Sequence, residues 1–489
     1  MTPYLHRTLA YLFVAALAQG SAHAQTGLPA QAATMLRAAG LSEDAIGVSV
    51  IRLRDGAVLR SHRAEALMQP ASTIKVLTAI VALDTLGPIY RGRAELRTSA
   101  MQEGSTLKGD VVLRGLGSAD FDWVALKSML DKLRDEGVRE IAGDLVLDRG
   151  FFSPPRADEG VPPFDETPEF RYNVIPDALL LNMNLLRFDI ETDAVGFRVR
   201  TTPTLDRVKV VSNMTWAQPA RKCASWEDGW KIPTVVKSAE GEIRVYLEGE
   251  FPKNCKISTE LNVIPRNDFV AQLFATLWRE AGGTWQGGVR EAALADAGRL
   301  IATHQSRTLA EVVRDINKRS DNTFTRLTHL TLGALEAKDQ PGQALEATAD
   351  RADRVVRAWL KKQAIDDLGL IIDNGSGLSR VARISASQLA QTLRAAAKSP
   401  WAPELLASLP IAGVDGGMGT RLKDSPAARM ARIKTGGLRN VASVAGYVPD
   451  AKGEMHALVA MINDDTAKGP VTRPILDAII DSVARSGTP

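Results

Sequence analysis

The sequence predicts a mixed α/β (α+β) protein in which both ends of the chain build one domain around a long β-rich insertion. Residues 48–53 and 57–62 alternate between apolar and polar side chains on either side of Asp55-Gly56, a strong hairpin signal. The end of the chain has the pattern of three strands, at 431–435, 442–448 and 456–461, followed by a helix at 473–485. Together they predict a sheet of five strands, two N-terminal and three C-terminal, covered by helices.

Between residues 91 and 262, short alternating stretches separated by Gly, Pro and Asp predict the insertion. Its predicted strands are 109–114, 143–148, 197–202, 208–212 and 243–249, with one helix at 123–136. Helical patterns occupy 28–39 and 72–86 before it, and 267–281, 309–319, 323–336, 345–362 and 387–397 after it. We therefore predict a discontinuous domain of residues 25–90 and 263–489, and an inserted region of residues 91–262 in two subdomains.

The composition excludes several classes of protein. The chain has 489 residues, of which 45% are hydrophobic and 24% are charged, as in ordinary globular proteins. The 60 basic and 57 acidic residues nearly cancel, whereas nucleic-acid binding usually needs a strongly basic domain or stripe. Two cysteines exclude a Cys-rich zinc site, and we predict neither a metal nor another cofactor.

Residues 1–24 have the features of a secretory signal peptide. Arg7 precedes an apolar stretch at 9–18, and Ala22-His23-Ala24 fits the small-x-small cleavage rule, so that Gln25 would begin the mature chain. The alternative is an uncleaved membrane anchor, but the apolar stretch is too short to span a bilayer comfortably. Export places Cys223 and Cys255 in an oxidising compartment, where a disulfide between them is the expected state and two buried thiols are the alternative.

Three short motifs carry the predicted chemistry. There is no H-E-x-x-H, G-x-S-x-G or Walker motif, and no histidine is placed to support a Ser-His-Asp triad. In chain order the three motifs are Ser72-Thr73-Ile74-Lys75, Ser320-Asp321-Asn322 and Lys434-Thr435-Gly436. Each motif is weak alone. The first opens an apolar helix, the second lies between helices and the third lies on a strand, and in this order the set is specific.

The residue types in these motifs fit nucleophilic catalysis by a serine. Ser72 and Lys75 share a helix face, and a serine hydroxyl needs a base. Lys75 must be neutral to act as that base, and burial together with the charge of Lys434 would lower its pKa. The N–H groups of Ser72 and Gly437 can stabilise an oxyanion.

The remaining motif residues have expected roles at the substrate. Ser320 can relay a proton to the leaving group, and Asn322 can hydrogen-bond the substrate amide. Lys434 and Thr435, next to Gly436, can hold a substrate carboxylate.

These residues resemble the serine penicillin-recognising enzymes, namely the penicillin-binding proteins and serine β-lactamases. The long interval between Ser72 and Ser320 is similar to that of the class C low-molecular-mass penicillin-binding proteins. These are D-alanyl-D-alanine carboxypeptidase/endopeptidases with a large insertion directly after the S-x-x-K helix. Further stretches that look like this family are 172–173 through 182–184, 373–380 and 412–416. Two positions depart from the pattern of this family, since Gly437 stands where Thr or Ser is frequent and Gly417 stands where Thr is expected.

The resemblance implies a penicillin-binding transpeptidase-like domain with a five-stranded antiparallel sheet. It also implies a periplasmic serine D,D-peptidase that cleaves after D-Ala in peptidoglycan stem peptides, and D-Ala-to-diaminopimelate cross-links, through an acyl-Ser72 intermediate. Its expected partners are peptidoglycan stem peptides and cross-links, with β-lactams as covalent inhibitors and no nucleic acid.

Two other functions remain open. A β-lactamase of the class A type needs a deacylating glutamate in an E-x-x-L-N context, which neither Glu336 nor Glu346 has. A non-catalytic wall-binding scaffold would be expected to lack Ser72, Lys75 or Lys434, and all three are present.

Overall fold

The computed structural model describes residues 25–336, 346–466 and 468–487, so the predicted signal peptide lies outside the described residues. Its central sheet has, in order, the strands Gln25–Thr26, Val58–His62, Ile46–Arg52, Met455–Asn463, Val441–Pro449 and Arg432–Leu438. The last five of these are antiparallel to their neighbours, which confirms the five-stranded sheet. The two-residue strand Gln25–Thr26 adds a short parallel edge that the sequence did not predict.

Helices cover both faces of the central sheet, because its strands carry apolar side chains in both directions. Neighbouring residues point to opposite faces of a strand. Val444 accordingly packs with Leu36 and Ile479 on one face, whereas Ala445 packs with Ile80 and Leu389 on the other. The strand Val441–Pro449 is therefore buried along its whole length.

The helices around this sheet are Ala30–Ala38, Lys75–Leu86, Leu309–Lys318, Asn322–Glu336, Thr348–Lys362, Ala386–Ala396, Ala402–Ser408 and Gly469–Ala484. All were predicted from the sequence within a few residues, apart from the short helix Ala402–Ser408. Across residues 25–336, 346–466 and 468–487, no helix is both long enough and apolar enough to span a membrane.

The β-rich region has its own sheets. One contains Val289–Glu291, Leu145–Asp148, Val111–Leu116, Arg93–Thr98 and Arg299–Gln305. A second contains Thr284–Trp285, Glu140–Ile141, Thr106–Leu107 and Gln102–Glu103. A third contains Phe197–Thr202, Leu186–Thr192 and Lys256–Leu261. A fourth contains Val208–Ser212, Ile243–Phe251, Thr215–Trp216 and Trp230–Lys237. The helices Trp123–Asp135 and Arg266–Glu280 pack against these sheets.

The contacts of this region extend beyond residue 262, the predicted end of the insertion. Arg299–Gln305 pairs with Arg93–Thr98, and the helix Arg266–Glu280 contributes Phe269 and Trp278 to the core of the inserted region. We therefore propose that the inserted region continues to Gln305. An apolar helix face does not reveal which of two cores it joins, so the sequence pattern could not place this boundary. The strands share one hydrophobic cluster, and the division into two subdomains stays a prediction.

A disulfide joins Cys223 to Cys255, as predicted, with a Cα–Cα distance of 5.2 Å. Cys255 is buried in the core of the inserted region, next to the strand Lys256–Leu261. The bond links this strand to the turn Cys223–Gly229, which otherwise runs along the surface.

We expect replacement of both cysteines by serine to lower the free energy of unfolding of the inserted region. The bond closes a loop with a sequence separation of 32. For such a loop the chain-entropy model gives about 3 to 4 kcal/mol. Urea denaturation of the parent and the double-serine variant measures the difference. Thiol titration of unreduced, denatured parent protein is the control, and two reactive thiols there would contradict the bond.

Candidate active site

Ser72 lies in a short 3₁₀ turn, Ala71–Ile74, that leads directly into the helix Lys75–Leu86. The sequence predicted regular helix from residue 72. The first turn is tighter because Thr73 N–H donates to Pro70 O, and Thr73 Oγ1 donates to the same carbonyl at 2.7 Å. Ser443 Oγ, from the central sheet, also donates to Pro70 O, at 2.6 Å. The turn that carries the nucleophile is thereby tied to the sheet.

The side chain of Lys75 is fully buried and its Nζ contacts three oxygens. It donates to Asn322 Oδ1 at 2.7 Å and to the Ser376 carbonyl at 2.5 Å, and it lies 2.9 Å from Ser72 Oγ. A neutral amine has two N–H donors and one lone pair. The amide and carbonyl oxygens can only accept, so they use both donors. The lone pair is then left for the Ser72 hydroxyl, which is the geometry of a general base.

The surroundings of Lys75 favour its neutral form. Burial lowers the pKa of Lys75 well below its usual range, and repulsion from Lys434 lowers it further. The negative charge of Asp321 raises the pKa of Lys75, but this carboxylate also accepts a hydrogen bond from Arg171 at 3.2 Å. The sequence expectation of a buried lysine beside a second cation is therefore met in the structure.

Lys434 and Ser320 form the opposite side of the site. Lys434 is buried and donates to Ser320 Oγ at 2.9 Å and to the Thr435 carbonyl at 2.7 Å. Burial lowers the pKa of Lys434 to about 7. Ser320 lies in the turn between the helices Leu309–Lys318 and Asn322–Glu336 and has a φ of 59°.

Asn322 does more than the sequence predicted, since its amide bridges two parts of the molecule. Its Oδ1 accepts from Lys75, and its Nδ2 donates to the carbonyl of Tyr172, which belongs to the inserted region, at 2.9 Å. The second N–H of Nδ2 is the part left for a substrate amide. Asn322 thus orients the base as well as facing the groove.

The strand Arg432–Leu438 is the edge of the central sheet next to Ser72. Ile433 N–H donates outward to Pro410 O, and N–H groups alternate along a strand, so the Gly437 N–H also points away from the sheet. A Cβ on Gly436 would lie 2.8 Å from Ser72 N, so only glycine allows this approach. Together these contacts place the Gly437 N–H beside Ser72, as an oxyanion donor requires.

Steric contact explains why residue 417 is a glycine. A Cβ at this position would lie 2.2 Å from Thr435 Oγ1, so a side chain there would displace Thr435. Gly437 has open space around its Cα, since the nearest contact of a Cβ would be 3.9 Å away at the Val441 carbonyl.

Sequence reasoning missed the parts of the site that act through the backbone. The Ser376 carbonyl accepts from Lys75, although residues 373–380 were noted only as resembling a family. Gly377 has a φ of 75°, and a Cβ there would lie 1.9 Å from Ala71 O, which explains the glycine beside this carbonyl. The Tyr172 carbonyl was missed for the same reason, because any side chain can stand on such a backbone position.

A groove of about 380 Å³ opens in front of Ser72. It is lined by Ser72, Phe164, Asp165, Glu166, Tyr172, Ser320, Asn322, Gly377, Leu378, Arg380, Gly437, Leu438 and Arg439. The predicted catalytic residues thus meet in one place, and none of the histidines that the structure describes lines the groove. The arrangement can deprotonate Ser72, hold an oxyanion and present cationic groups to a carboxylate.

Comparison with known proteins agrees with this geometry. A D-alanyl-D-alanine carboxypeptidase of Actinomadura sp. (strain R39) is 27% identical over 478 residues, covering 95% of this chain and 86% of its own length. The crystal structure of penicillin binding protein 4 (dacB) from Haemophilus influenzae has the same fold, with a TM-score of 0.75 and 23% identity, covering 92% of this chain and 98% of that one. The structure of the same Haemophilus protein complexed with a β-lactam matches with a TM-score of 0.72 and 22% identity, again covering 92% and 98%.

A family model completes the comparison. The model of the D-Ala-D-Ala carboxypeptidase 3 (S13) family matches residues 28–483, which is nearly the whole described chain. The matched segment includes all three motifs and the inserted region. The protein is therefore a serine carboxypeptidase that belongs to the D-Ala-D-Ala carboxypeptidase 3 (S13) family.

Proposed function

We propose that this carboxypeptidase acts through an acyl-Ser72 intermediate on peptidoglycan stem peptides, and that it also opens D-Ala-to-diaminopimelate cross-links. The observation that carries the mechanism is the set of contacts around Lys75. Two of its hydrogen-bond donors are used by Asn322 Oδ1 and the Ser376 carbonyl, while Ser72 Oγ lies 2.9 Å away. Lys75 is the only lysine placed to take the proton of Ser72 among the contacts of the described residues.

Acylation then proceeds in balanced steps. The Ser72 proton moves to Lys75 Nζ as Ser72 Oγ bonds to the carbonyl carbon of the penultimate D-Ala. The carbonyl oxygen becomes an oxyanion, held by the N–H groups of Ser72 and Gly437. The C–N bond breaks, and the leaving amine takes a proton from Ser320 Oγ, which Lys434 resupplies across 2.9 Å. Water then attacks the ester as its proton passes through Ser320 to the neutral Lys434, and protonated Lys75 returns a proton to Ser72 Oγ as the shortened peptide leaves.

The substrate carboxylate is assigned to Lys434 and Thr435. Both lie on the strand at the groove edge, beside Ser72, and Lys434 is cationic below its pKa of about 7. The carboxylate would raise that pKa further on binding, because an opposite charge favours the protonated form. The bound carboxylate and the protonated form of Lys434 therefore stabilise each other.

Space on the far side of Ser320 supports action on cross-links. A cavity of about 860 Å³ shares Tyr172, Ser320 and Asn322 with the groove. Because Ser320 serves the leaving group in this mechanism, this cavity lies where a leaving group larger than D-Ala would extend. It can receive a second stem peptide.

The two alternative functions make different use of the groove. Fast β-lactam hydrolysis needs a base beside the acyl ester. Asp165 accepts hydrogen bonds from Tyr172 and Asn173, and the side chain of Glu166 is 83% exposed, 3.7 Å from Arg439. Neither is a buried base like Lys75. A wall-binding scaffold would have no need of the contacts of Lys75.

We place the enzyme in the periplasm, because its proposed peptidoglycan substrate lies there and the predicted signal peptide would export the chain to it.

Incubation of the mature protein with cross-linked muropeptides tests the proposal. We expect mass spectrometry to detect both free D-Ala and uncross-linked monomers, with neither product from Ser72→Ala. Release of D-Ala alone would reject the endopeptidase activity, and nitrocefin turnover in place of D-Ala release would favour a β-lactamase. Unchanged wall binding by Ser72→Ala, with no product from the parent, would favour a scaffold.

We expect Lys75→Arg to slow acylation of Ser72 by at least about 10², the lower range for loss of a general base. Arginine keeps the positive charge but cannot supply a neutral amine at neutral pH. The rate of labelling by a fluorescent penicillin measures acylation. Lys398→Arg, at an exposed position, is the matched control. Labelling of Lys75→Arg at the parent rate would contradict the assignment of the base.

We expect kcat/KM to fall at both acid and alkaline pH for a peptide that ends in a free D-Ala carboxylate. On the acid side Lys75 becomes protonated and cannot accept the Ser72 proton. On the alkaline side Lys434, with a pKa of about 7, loses the charge that attracts the carboxylate. The matched peptide amide should keep the acid limb and show a smaller alkaline limb, because Lys434 then serves only the leaving group. An alkaline limb of equal size for the amide would remove Lys434 from carboxylate binding.

We expect a β-lactam to form a long-lived adduct at Ser72. The ring amide presents a carbonyl and a nearby carboxylate as D-Ala-D-Ala does, and its leaving group stays tethered where water must enter. Intact-mass spectrometry should show one penicillin per chain, on the peptide that contains Ser72, for minutes or longer. An adduct in Ser72→Ala, or one that clears within a second, would contradict the mechanism.

A further inference from the structure

A second cavity lies behind the catalytic groove, with a volume of about 550 Å³. One wall is the helix Asn322–Glu336, which contributes Arg326 and His329. The opposite wall is an apolar, proline-rich loop that includes Pro162 and Phe164. The cavity and the groove share Phe164, Leu378 and Arg380, so these residues separate the two spaces.

Arg326 is a buried guanidinium without a carboxylate partner within ion-pair distance in the described part of the chain. Only 7% of the residue is exposed, and its Nη1 reaches the carbonyls of Asn173 and Val174 at 3.4 and 3.3 Å, which are long hydrogen bonds. Its Nε is buried and finds no acceptor among the described residues. Burial lowers the pKa of Arg326 to about 10, which leaves it cationic at neutral pH.

His329 stands beside Arg326 on the same helix. It is 1% exposed, and neither ring nitrogen has a hydrogen-bond partner within the described ranges. Burial lowers the pKa of His329 to about 4, so the ring is neutral and offers one donor and one acceptor. Residues three apart face the same side of a helix, so both groups can reach one ligand.

Two of the other charged groups around the cavity are each paired with an opposite charge. Arg266 donates to Asp177 at 3.0 Å, and Asp158 accepts two hydrogen bonds from Arg156 at 2.9 Å. The Arg380 guanidinium lies over the Phe164 ring at 4.6 Å. Asp373 acts on Arg326 only from beyond ion-pair distance. Buried charges are normally paired at close range, and among the described residues Arg326 has no such close counterpart.

We propose that this cavity binds a small carboxylate, whose oxygens pair with Arg326 and accept from His329 while its apolar part contacts the proline-rich loop. A carboxylate matches a guanidinium in charge and geometry, and the cavity has room for a molecule the size of an amino acid or a dipeptide. Two sources share this chemistry, namely a free amino acid such as released D-alanine and the C-terminus of a peptide.

The site is coupled to catalysis through the helix and the inserted region. Arg326 is four residues beyond Asn322, about 6 Å along the helix on the same face. Arg326 holds the carbonyls of Asn173 and Val174, and Asn322 holds that of Tyr172 in the same turn. A carboxylate that draws the guanidinium away from these carbonyls loosens the turn that orients Asn322.

Calorimetric titration of the mature Ser72→Ala protein, which cannot turn over, tests the proposal. The probes are acetate, D-alanine and N-acetyl-D-alanyl-D-alanine. We expect at least one of them to bind with an affinity that falls at least about tenfold in Arg326→Met, as expected when a charged hydrogen-bond partner is lost. Tighter binding of D-alanine would identify a free amino acid as the ligand. Dipeptide binding identifies a peptide terminus only in so far as Ala349→Trp, which leaves the catalytic groove untouched, weakens it.

Two further variants decide the outcome if Arg326→Met does not fold. Ala349→Trp fills the cavity from its exposed rim without touching the groove, and we expect it to weaken binding as Arg326→Met does. Arg198→Met, an exposed arginine of the inserted region, is the matched control and should bind like the parent. Absence of binding by all three probes, or unchanged affinity in Ala349→Trp, would overturn the proposal.

Discussion

The buried amine of Lys75 is the group on which the rest of the site depends. An ammonium ion in a dry interior is unfavourable, so burial favours the neutral form that catalysis needs. The same burial requires that both N–H donors find acceptors, and the structure brings these from two distant segments, at Asn322 and Ser376. The orientation of Lys75, the proposed base, and the lowering of its pKa are therefore consequences of one packing arrangement.

The inserted region is part of this arrangement rather than an appendage. Its turn at Arg171–Asn173 contacts two residues of the S-D-N motif, Asp321 and Asn322, but not Ser320. Arg171 pairs with Asp321, the Tyr172 carbonyl accepts from Asn322, and the Val174 carbonyl accepts from Thr323. The Arg171–Asp321 pair also engages the carboxylate that would otherwise favour a protonated Lys75. A long insertion can thus act on the chemistry through three backbone and ionic contacts.

Close backbone approach explains the glycines that neighbour the motifs. Gly436 touches the turn of Ser72, Gly377 touches Ala71 O, and Gly417 leaves room for Thr435. In each case a single methyl group would collide with an atom of the site. The departure at Gly417 is therefore a packing requirement of this chain.

Sequence alone determined the local parts of this protein. Periodicity located the strands and helices of the central sheet, because burial on one or both faces leaves a repeating apolar pattern. The S-x-x-K, S-D-N and K-T-G motifs identified side chains that the structure brings together, because few residue types can do the proposed chemistry. Two cysteines in a chain with a predicted signal peptide predicted the bond between Cys223 and Cys255.

The tertiary structure alone decided which distant segments meet. It brought the carbonyls of Ser376 and Tyr172 to the site, assigned the helix Arg266–Glu280 to the inserted core, and left Arg326 and His329 buried beside a cavity. A carbonyl belongs to every residue and an apolar helix face fits any apolar core, so neither carries a signal in the sequence. Their roles come from long-range packing, in which the partner of each group is fixed only when the chain has folded.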